Sequence, residues 1–329
     1  MAPKKRRADD SRADSTTNIA ALAAAARRSR LAHRRRHPKA PPLTADDKLA
    51  DAILEAMEVG GAMPSATKIR GPEFEDVEDE VCFGDAVGVE FIDRMRTDRL
   101  QSSAGGKAVL KAIAACKECD EDQAHWDGEE GELLDAIAND ECTPRITPMR
   151  ARNPFNPVAL LCPPTEVPLC AVAAENIQVG EPIAQYLGDL CLEDGTGGGA
   201  SNTYIYELAA DEMRRRGFKG SATLRVDASK AGGEARFIND KWSPGGLPAR
   251  RANCFVELIF DGDAKEFMLV FFASRKIRKG EEVIADYGPD YWKVASAALL
   301  EAHAEAEGAP HANDASQKSG AAKKKARAR

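Results

Sequence analysis

The sequence predicts an α+β protein: a β-rich domain of small sheets, preceded by a helical acidic region and flanked by disordered basic tails. Three observations carry this. Apolar residues recur at helical spacing between Thr44 and Cys142. After Val158 the texture changes to short apolar runs divided by turns. Both ends are basic although the chain as a whole has a net charge of −7. The 329 residues suffice for one large domain or two ordinary ones. Texture divides them at 1–42 (tail), 43–150 (helical region), 151–295 (β-rich domain) and 296–329 (C-terminal helix and basic tail).

The first element is the basic N-terminus. Over residues 1–40, twelve Lys or Arg stand against three Asp. "KKRR" at Lys4–Arg7 and "RRSRLAHRRRH" at Arg27–His37 are joined by an Ala-rich spacer. Such clusters read as a nuclear localisation tract or a nucleic-acid tail. An organellar transit peptide is also rich in Arg, Ala and Ser, but it avoids acids. Asp9, Asp10 and Asp14 therefore favour the nucleus. The C-terminal "AAKKKARAR" supports the same location. Weak nucleic-acid contact would use the same charges, because phosphate attraction also runs through Lys and Arg.

Next comes the helical region. Thr44 is placed to cap a helix, with Asp46 and Asp47 in its first turn. Leu49, Ile53, Leu54 and Met57 fall on one face, and Gly60-Gly61 ends it. "GVEFIDRMRTDRL", "GKAVLKAIAAC" and "GELLDAIAND" read as further helices. The acidic "EFEDVEDE" is a solvated face or a source of long-range attraction for a basic peptide. "TPRITPMRARNPFNP" has four prolines, excludes a long regular element and marks a boundary.

The third element is the run of strands: "VALLC", "PLCAVAA", "PIAQYLGDL", "TYIYEL", "ATLRVDA", "ARFIN", "NCFVELIF" and "FMLVFFASRKI". Many of these carry the β-branched and aromatic residues that suit strands. "AADEMRRRG" interrupts them as a helix.

Composition excludes several classes. With 43% hydrophobic and 30% charged residues the chain reads as soluble. No run of about 18 apolar residues exists, so no membrane-crossing helix and no membrane partner are expected. The 8 Cys are scattered without a secretory signal and read as reduced thiols. "CKEC" (Cys116, Cys119) with His125 and Cys142 offers half of a zinc site. The remaining ligands are scattered and Cys116 lies on an apolar helical face, so no metal is expected. Gly197–Gly199 lack both a following Lys-Ser/Thr and a dinucleotide fingerprint, and read as a flexible loop.

One stretch needs a functional reason. In "GEARFINDKWSPGG" an apolar run of strand type ends in Asn239, Asp240, Ser243, Pro244, Gly245 and Gly246, with Trp242 inside the polar loop. Its order relative to "AENIQVGEPIAQYLGDL", "TYIYEL", "VDASKAGGEARFIND" and "FFASRKIRKGEEVIADYGPDYW" resembles the SET-domain protein lysine methyltransferases. The resemblance covers about Pro157 to Trp292. Ile177, Gly180, Glu181, Ile183, Tyr186, Gly188 and Asp189 match the first family segment. Arg236, Phe237, Ile238 and Asn239 match the "RFIN" segment. Arg275, Ile277, Gly280, Glu281, Glu282, Val283, Asp286, Tyr287 and Gly288 match the last.

The resemblance implies a fold with a pseudo-knot, in which the segment after "RFIN" threads a loop made by the "DYG" segment. It implies S-adenosylmethionine as methyl donor and a lysine side chain as acceptor. Tyr287 is then the main catalytic tyrosine and Tyr204 a channel tyrosine that orients the amine. The cofactor-binding set is Leu169, Cys170, Arg236, Phe237, Asn239, Asp240, Tyr287 and Trp292. Within it Asn239 holds the methionine end, Arg236 organises the pocket and Trp292 packs over the adenine.

The chain also departs from the family. Pro168-Leu169-Cys170 stands where a Gly-x-Gly is usual. "NDKW" replaces "NHSC", so Asp240 takes the place of a His and Trp242 that of a Cys. No Cys follows Cys254, so the zinc cluster that usually follows the domain is absent. The pocket's C-terminal wall must come from elsewhere, with Tyr291, Trp292 and the following Ala-rich helix as candidates. The expectation is a nuclear protein-lysine methyltransferase with histone tails as first substrate. The alternatives are an inactive SET-like module that binds chromatin or a protein, and an enzyme of non-histone proteins.

Overall fold

A computed structural model describes residues 11–38, 41–64, 73–77, 90–92, 94–102, 104–114, 136, 144–193, 204–208, 214, 223–244, 246–261, 266–288 and 291–308. Five small sheets and a group of helices make up the described architecture. The N-terminal helices are α1 (Ser11–Arg36), α2 (Ala45–Val59), the one-turn α3 (Asp98–Gln101) and α4 (Ala104–Ala114).

The helix at Thr44 forms as its sequence dictates. Thr44 and Asp47 close a reciprocal capping box, and Gly60 ends the helix at φ 67°, a left-handed conformation that glycine reaches without strain. Ala50, Ile53, Leu54 and Met57 are buried, and each large apolar side chain is worth about 1.5–3 kcal/mol.

The N-terminal segment departs from expectation. Residues 11–36, read as part of a disordered tail over 1–42, form α1. Alanine has the highest helix propensity, and Leu22, Ala23, Ala25 and Ala26 are buried. Arg27 pairs with Glu55 and Glu58, Arg34 with Asp51 and Arg28 with Glu307. Arg30 and Arg36 donate to the carbonyls of Ala159 and Ala306. The second basic cluster is thus largely spent inside a helical bundle. Small side chains gave this helix no conspicuous apolar stripe.

Other expectations need correction. "GVEFIDRMRTDRL" is not one helix: Glu90–Phe91 is strand β2, and only Asp98–Gln101 is helical. Strand β1 (Phe74–Asp76) also interrupts the region read as helical. The boundary at 150/151 cuts strand β3 (Ile146–Ala151), which forms despite Pro148. Strand β1 pairs only with Met149–Ala151, so Pro148 lies beyond that ladder. "VALLC" is not a strand but helix α5 (Pro157–Leu161), capped by Asn156 with Pro157 in its first turn. "GELLDAIAND", "AADEMRRRG", the "CKEC" group and Gly197–Gly199 lie outside the described residues, apart from Ala136 and Arg214.

Beyond β3 follow β4 (Leu169–Ala173), β5 (Pro182–Gln185), β6 (Asp189–Glu193), β7 (Ile205–Glu207), β8 (Thr223–Asp227), β9 (Ala231–Gly232), β10 (Asn239–Asp240), β11 (Cys254–Asp261), β12 (Glu266–Ala273) and β13 (Ile284–Ala285). The three-stranded sheets have the orders β1-β3-β4, β6-β8-β7 and β11-β12-β5, and β2-β9 and β10-β13 form parallel pairs. One apolar core joins them, including Ile177, Ile183, Leu224, Val226, Phe237, Ile238, Leu269 and Phe271. A second core links α1, α2 and α5 through Ala23, Ala26, Ile53, Leu54, Leu160 and Leu161. The last helix, α6 (Tyr291–Gly308), lies against α1.

Candidate active site

The "RFIN" segment is not the strand its apolar residues suggested. Glu234–Phe237 is a turn of 3-10 helix, followed by the two-residue strand β10. Strand β10 pairs in parallel with β13, with Asn239 opposite Ile284 and Asp240 opposite Ala285. This is the meeting of "RFIN" and "DYG" that the expected pseudo-knot requires. Buried Asn253 fixes β13: its backbone N–H donates to the Ile284 carbonyl, its side-chain Oδ1 accepts the Ile284 N–H at 2.7 Å, and its amide Nδ2 donates to the Glu282 carbonyl at 2.8 Å.

Asp240 is the hub of the site's edge. It accepts the backbone N–H groups of Trp242 (2.7 Å) and Tyr287 (2.5 Å) and the indole N–H of Trp292 (2.7 Å). Trp242 and Trp292 stack with ring centroids 4.0 Å apart. Tyr291 meets both Tyr287 (4.7 Å) and Trp292 (5.3 Å) edge-on.

Behind this edge lie the tyrosines. The Tyr287 hydroxyl donates to the Ile238 carbonyl. Burial holds the Tyr287, Tyr204 and Tyr291 phenols above the usual tyrosine range, so they stay protonated. The Tyr186 hydroxyl donates to the Tyr204 carbonyl at 2.8 Å, which ties β7's entrance to β5. Arg236 is 5% exposed and places its guanidinium 4.0 Å from the Tyr204 ring centroid and 5.2 Å from that of Phe237. Its Nε and Nη1 meet no hydrogen-bond acceptor among the described residues, and burial lowers its pKa.

The expected residues thus divide. Asn239, Asp240, Tyr287 and Trp292 come together, and Asn239 donates to the Leu169 carbonyl at 3.1 Å. Arg236 and Tyr204 form a second pair. Phe237 is a core side chain. The Cys170 thiol is fully buried and points to a polar cluster of Asn156 and Glu282, where burial and the neighbouring carboxylate push its pKa up.

That cluster went unread in the sequence. Asn156 donates to Glu282 at 2.9 Å, and Arg250 donates to the same carboxylate at 2.5 Å. The stacking of Trp242 on Trp292 was not legible in the sequence. A Trp within a polar loop was the available signal. The acidic stretch at Glu73–Glu80 is partly neutralised: Glu75 pairs with Arg150 and Arg152.

The family model of the SET domain matches residues 169–288. The chain carries a SET domain. The match runs from β4 to the glycine after Tyr287, so helices α1, α2, α5 and α6 lie outside it. Over 116 residues the chain is 30% identical to "Histone-lysine N-methyltransferase, H3 lysine-4 specific" of Schizosaccharomyces pombe, covering 35% of this chain and 11% of the relative. Over 120 residues it is 26% identical to "Histone-lysine N-methyltransferase EHMT1" of Mus musculus, covering 36% and 8%. Among solved structures it is similar to the Neurospora SET domain protein DIM-5, a histone lysine methyltransferase, with 20% identity, a TM-score of 0.28 and coverage of 37% and 48%. The chain therefore spans about a tenth of the length of these curated relatives.

Proposed function

We propose that the SET domain transfers a methyl group from S-adenosylmethionine to a lysine side chain of a protein, with histone tails as the substrate and the nucleus as the location. The observation that carries this is the β10–β13 pair, which puts Asn239 and Tyr287 at one edge although 48 positions separate them in the chain (287 − 239). The names of the matched relatives support the class of reaction and of substrate. Lys4–Arg7 and the C-terminal "AAKKKARAR" support nuclear import. The same charges allow weak nucleic-acid contact.

The residues present suit the cofactor. The Asn239 amide offers both a donor and an acceptor, and the buried Nε and Nη1 of Arg236 meet no acceptor among the described residues, which fits a ligand with an amino-acid end. Trp292 and Tyr291 supply aromatic surface beside Asp240 for a flat base. When bound, S-adenosylmethionine supplies an electrophilic methyl group on a sulfonium.

The chain's own groups do the rest. A target lysine must arrive as the neutral amine. The enclosed surroundings of Tyr204, Tyr287 and Tyr291 disfavour its ammonium form. Their neutral hydroxyls orient the amine without adding a negative charge, and their ring faces tolerate positive charge. Tyr287 is positioned by its backbone bond to Asp240 and its hydroxyl bond to Ile238, which fixes its oxygen before substrate enters.

A second reading has its own observation. All five residues of β4 are buried, with Leu169 and Cys170 where relatives of the family bring a glycine-rich backbone to the cofactor. This favours a SET module that binds chromatin or a protein without turnover. Calorimetry with S-adenosylmethionine, followed by methyl transfer to mixed histones and to nuclear extract, separates the readings. We expect binding, transfer to histones, and at least a tenfold fall in turnover for Tyr287→Phe, in the range of losing one aimed hydroxyl. Absence of both binding and transfer sinks the enzyme. Transfer to extract proteins alone moves the substrate to non-histone proteins.

A further inference from the structure

We propose that Trp242 is a positioning residue through which the N-terminal helices set the cofactor edge of the SET domain. The inference rests on reading that edge as the cofactor site. The SET match ends at Gly288, so the aromatic wall of Tyr291 and Trp292 belongs to α6, outside the matched domain. Something must hold that wall in place.

Two connections do so. The first is helical. Helix α6 is fastened to α1 by the Arg28–Glu307 pair, by Arg36 on the Ala306 carbonyl, and by His303 with Ser29 at 2.9 Å. The second runs through Trp242. Its ring lies flat on Trp292, and its backbone N–H shares the Asp240 carboxylate with the Trp292 indole. Trp242 also packs against the α1–α2–α5 core, together with Ile19, Leu49 and Met63. The loop after Trp242 is pressed onto the same core, where Leu247 is buried, and onto Met63 in the segment that follows α2. Gly246 has φ 94°, and a Cβ there would stand 2.5 Å from the Met63 Cε.

Trp242 therefore touches the helical core, the α6 wall and the Asp240 hub at once. Asp240 in turn holds the Tyr287 backbone. A shift of α1 and α2 against the loop reaches Trp292 and Tyr287 through two rings and one carboxylate. The N-terminal helices thereby support the aromatic wall of α6.

The test uses the full chain in a Trp126→Phe background, which leaves Trp242 and Trp292 as the remaining tryptophans. The stacked indole pair gives an exciton couplet in circular dichroism. Met63→Ala, a half-buried residue outside the SET domain, is expected to reduce that couplet by at least half while the helical signal is retained. S-adenosylmethionine serves as probe in calorimetry. Trp242→Ala is expected to weaken binding tenfold or more, Trp242→Phe to stay within threefold of wild type, and Met63→Ala to fall between them. A folded Trp242→Ala that binds as tightly as wild type overturns the proposal, and so does a couplet unchanged by Met63→Ala. If the wild type does not bind the probe, the methyl-transfer reading fails, and the couplet alone decides whether the helices position the indole pair.

Discussion

The Trp292 indole N–H donates to the Asp240 carboxylate at 2.7 Å, although the two are 52 positions apart in sequence. With the backbone donors of Trp242 and Tyr287, one acidic side chain holds three segments together. Asp240→Ala strands all three donors. An unsatisfied buried donor costs about 1–3 kcal/mol, and water reaches part of this edge, so a total loss of about 2–4 kcal/mol is expected. Asp240→Asn keeps one acceptor and is expected to lose about half as much. Urea unfolding of the two variants beside wild type measures both values, and equal stability of all three contradicts the hub.

Gly188 carries a second expectation. It lies in the "YLGDL" turn between β5 and β6, and a Cβ there would sit 2.7 Å from the Asp227 carbonyl oxygen and 2.9 Å from a Val226 methyl. The obstacle is mostly backbone and cannot rotate away. The β6–β8 ladder, which begins at the Asp189–Asp227 pair, must therefore shift. Gly188→Ala is expected to cost about 1–3 kcal/mol, as overpacking does. Thermal unfolding reads this directly, and an unchanged midpoint would show that the strands separate freely.

Glu282 is 8% exposed and meets Arg250 at 2.5 Å, with Asn156 on its other oxygen. Removing one member of a buried ion pair leaves a desolvated charge behind, at a cost of about 3–5 kcal/mol. Arg250→Met is expected to show that loss. Arg250→Met with Glu282→Gln removes both charges and is expected to recover most of it. A double-mutant cycle by chemical denaturation checks the coupling. Additive losses would mean that the two side chains do not depend on each other.

Much of this architecture was legible because the signals were local. Thr44, Asp47 and Gly60 announce α2 by capping chemistry within 17 residues (44 to 60), and the order of the "GEPI", "RFIND" and "DYG" segments announces the fold. What escaped depended on distant partners. Helix α1 looked like a tail because its arginines show their purpose only beside Asp51, Glu55, Glu58 and Glu307. The "RFIN" apolar run looked like a strand because Phe237 and Ile238 are buried, but burial there comes from a 3-10 turn against the core. The Asn156–Glu282–Arg250 cluster spans 126 positions, and no spacing rule brings those residues together.

Helix α6 carries a pH dependence that can be isolated. His303 is fully buried, with Nδ1 at 2.9 Å from the Ser29 hydroxyl and Nε2 at 3.0 Å from the Leu161 carbonyl. A carbonyl only accepts, so Nε2 carries the proton in the neutral ring and Nδ1 is an acceptor, which shares the Ser29 hydroxyl with the Ala26 carbonyl. Burial lowers the His303 pKa below its ordinary value of 6.5, and the nearby Arg30 and Arg28 act in the same direction. The unfolded chain then binds more protons than the folded one below about pH 6.5, so stability falls as pH drops through that region. Above it the contribution is fully present. His303→Gln keeps a donor for Leu161 and an acceptor for Ser29 but does not titrate. Thermal midpoints between pH 8 and pH 5.5 are expected to fall more steeply for wild type than for His303→Gln. Parallel curves would mean that His303 does not report the packing of α1 on α6.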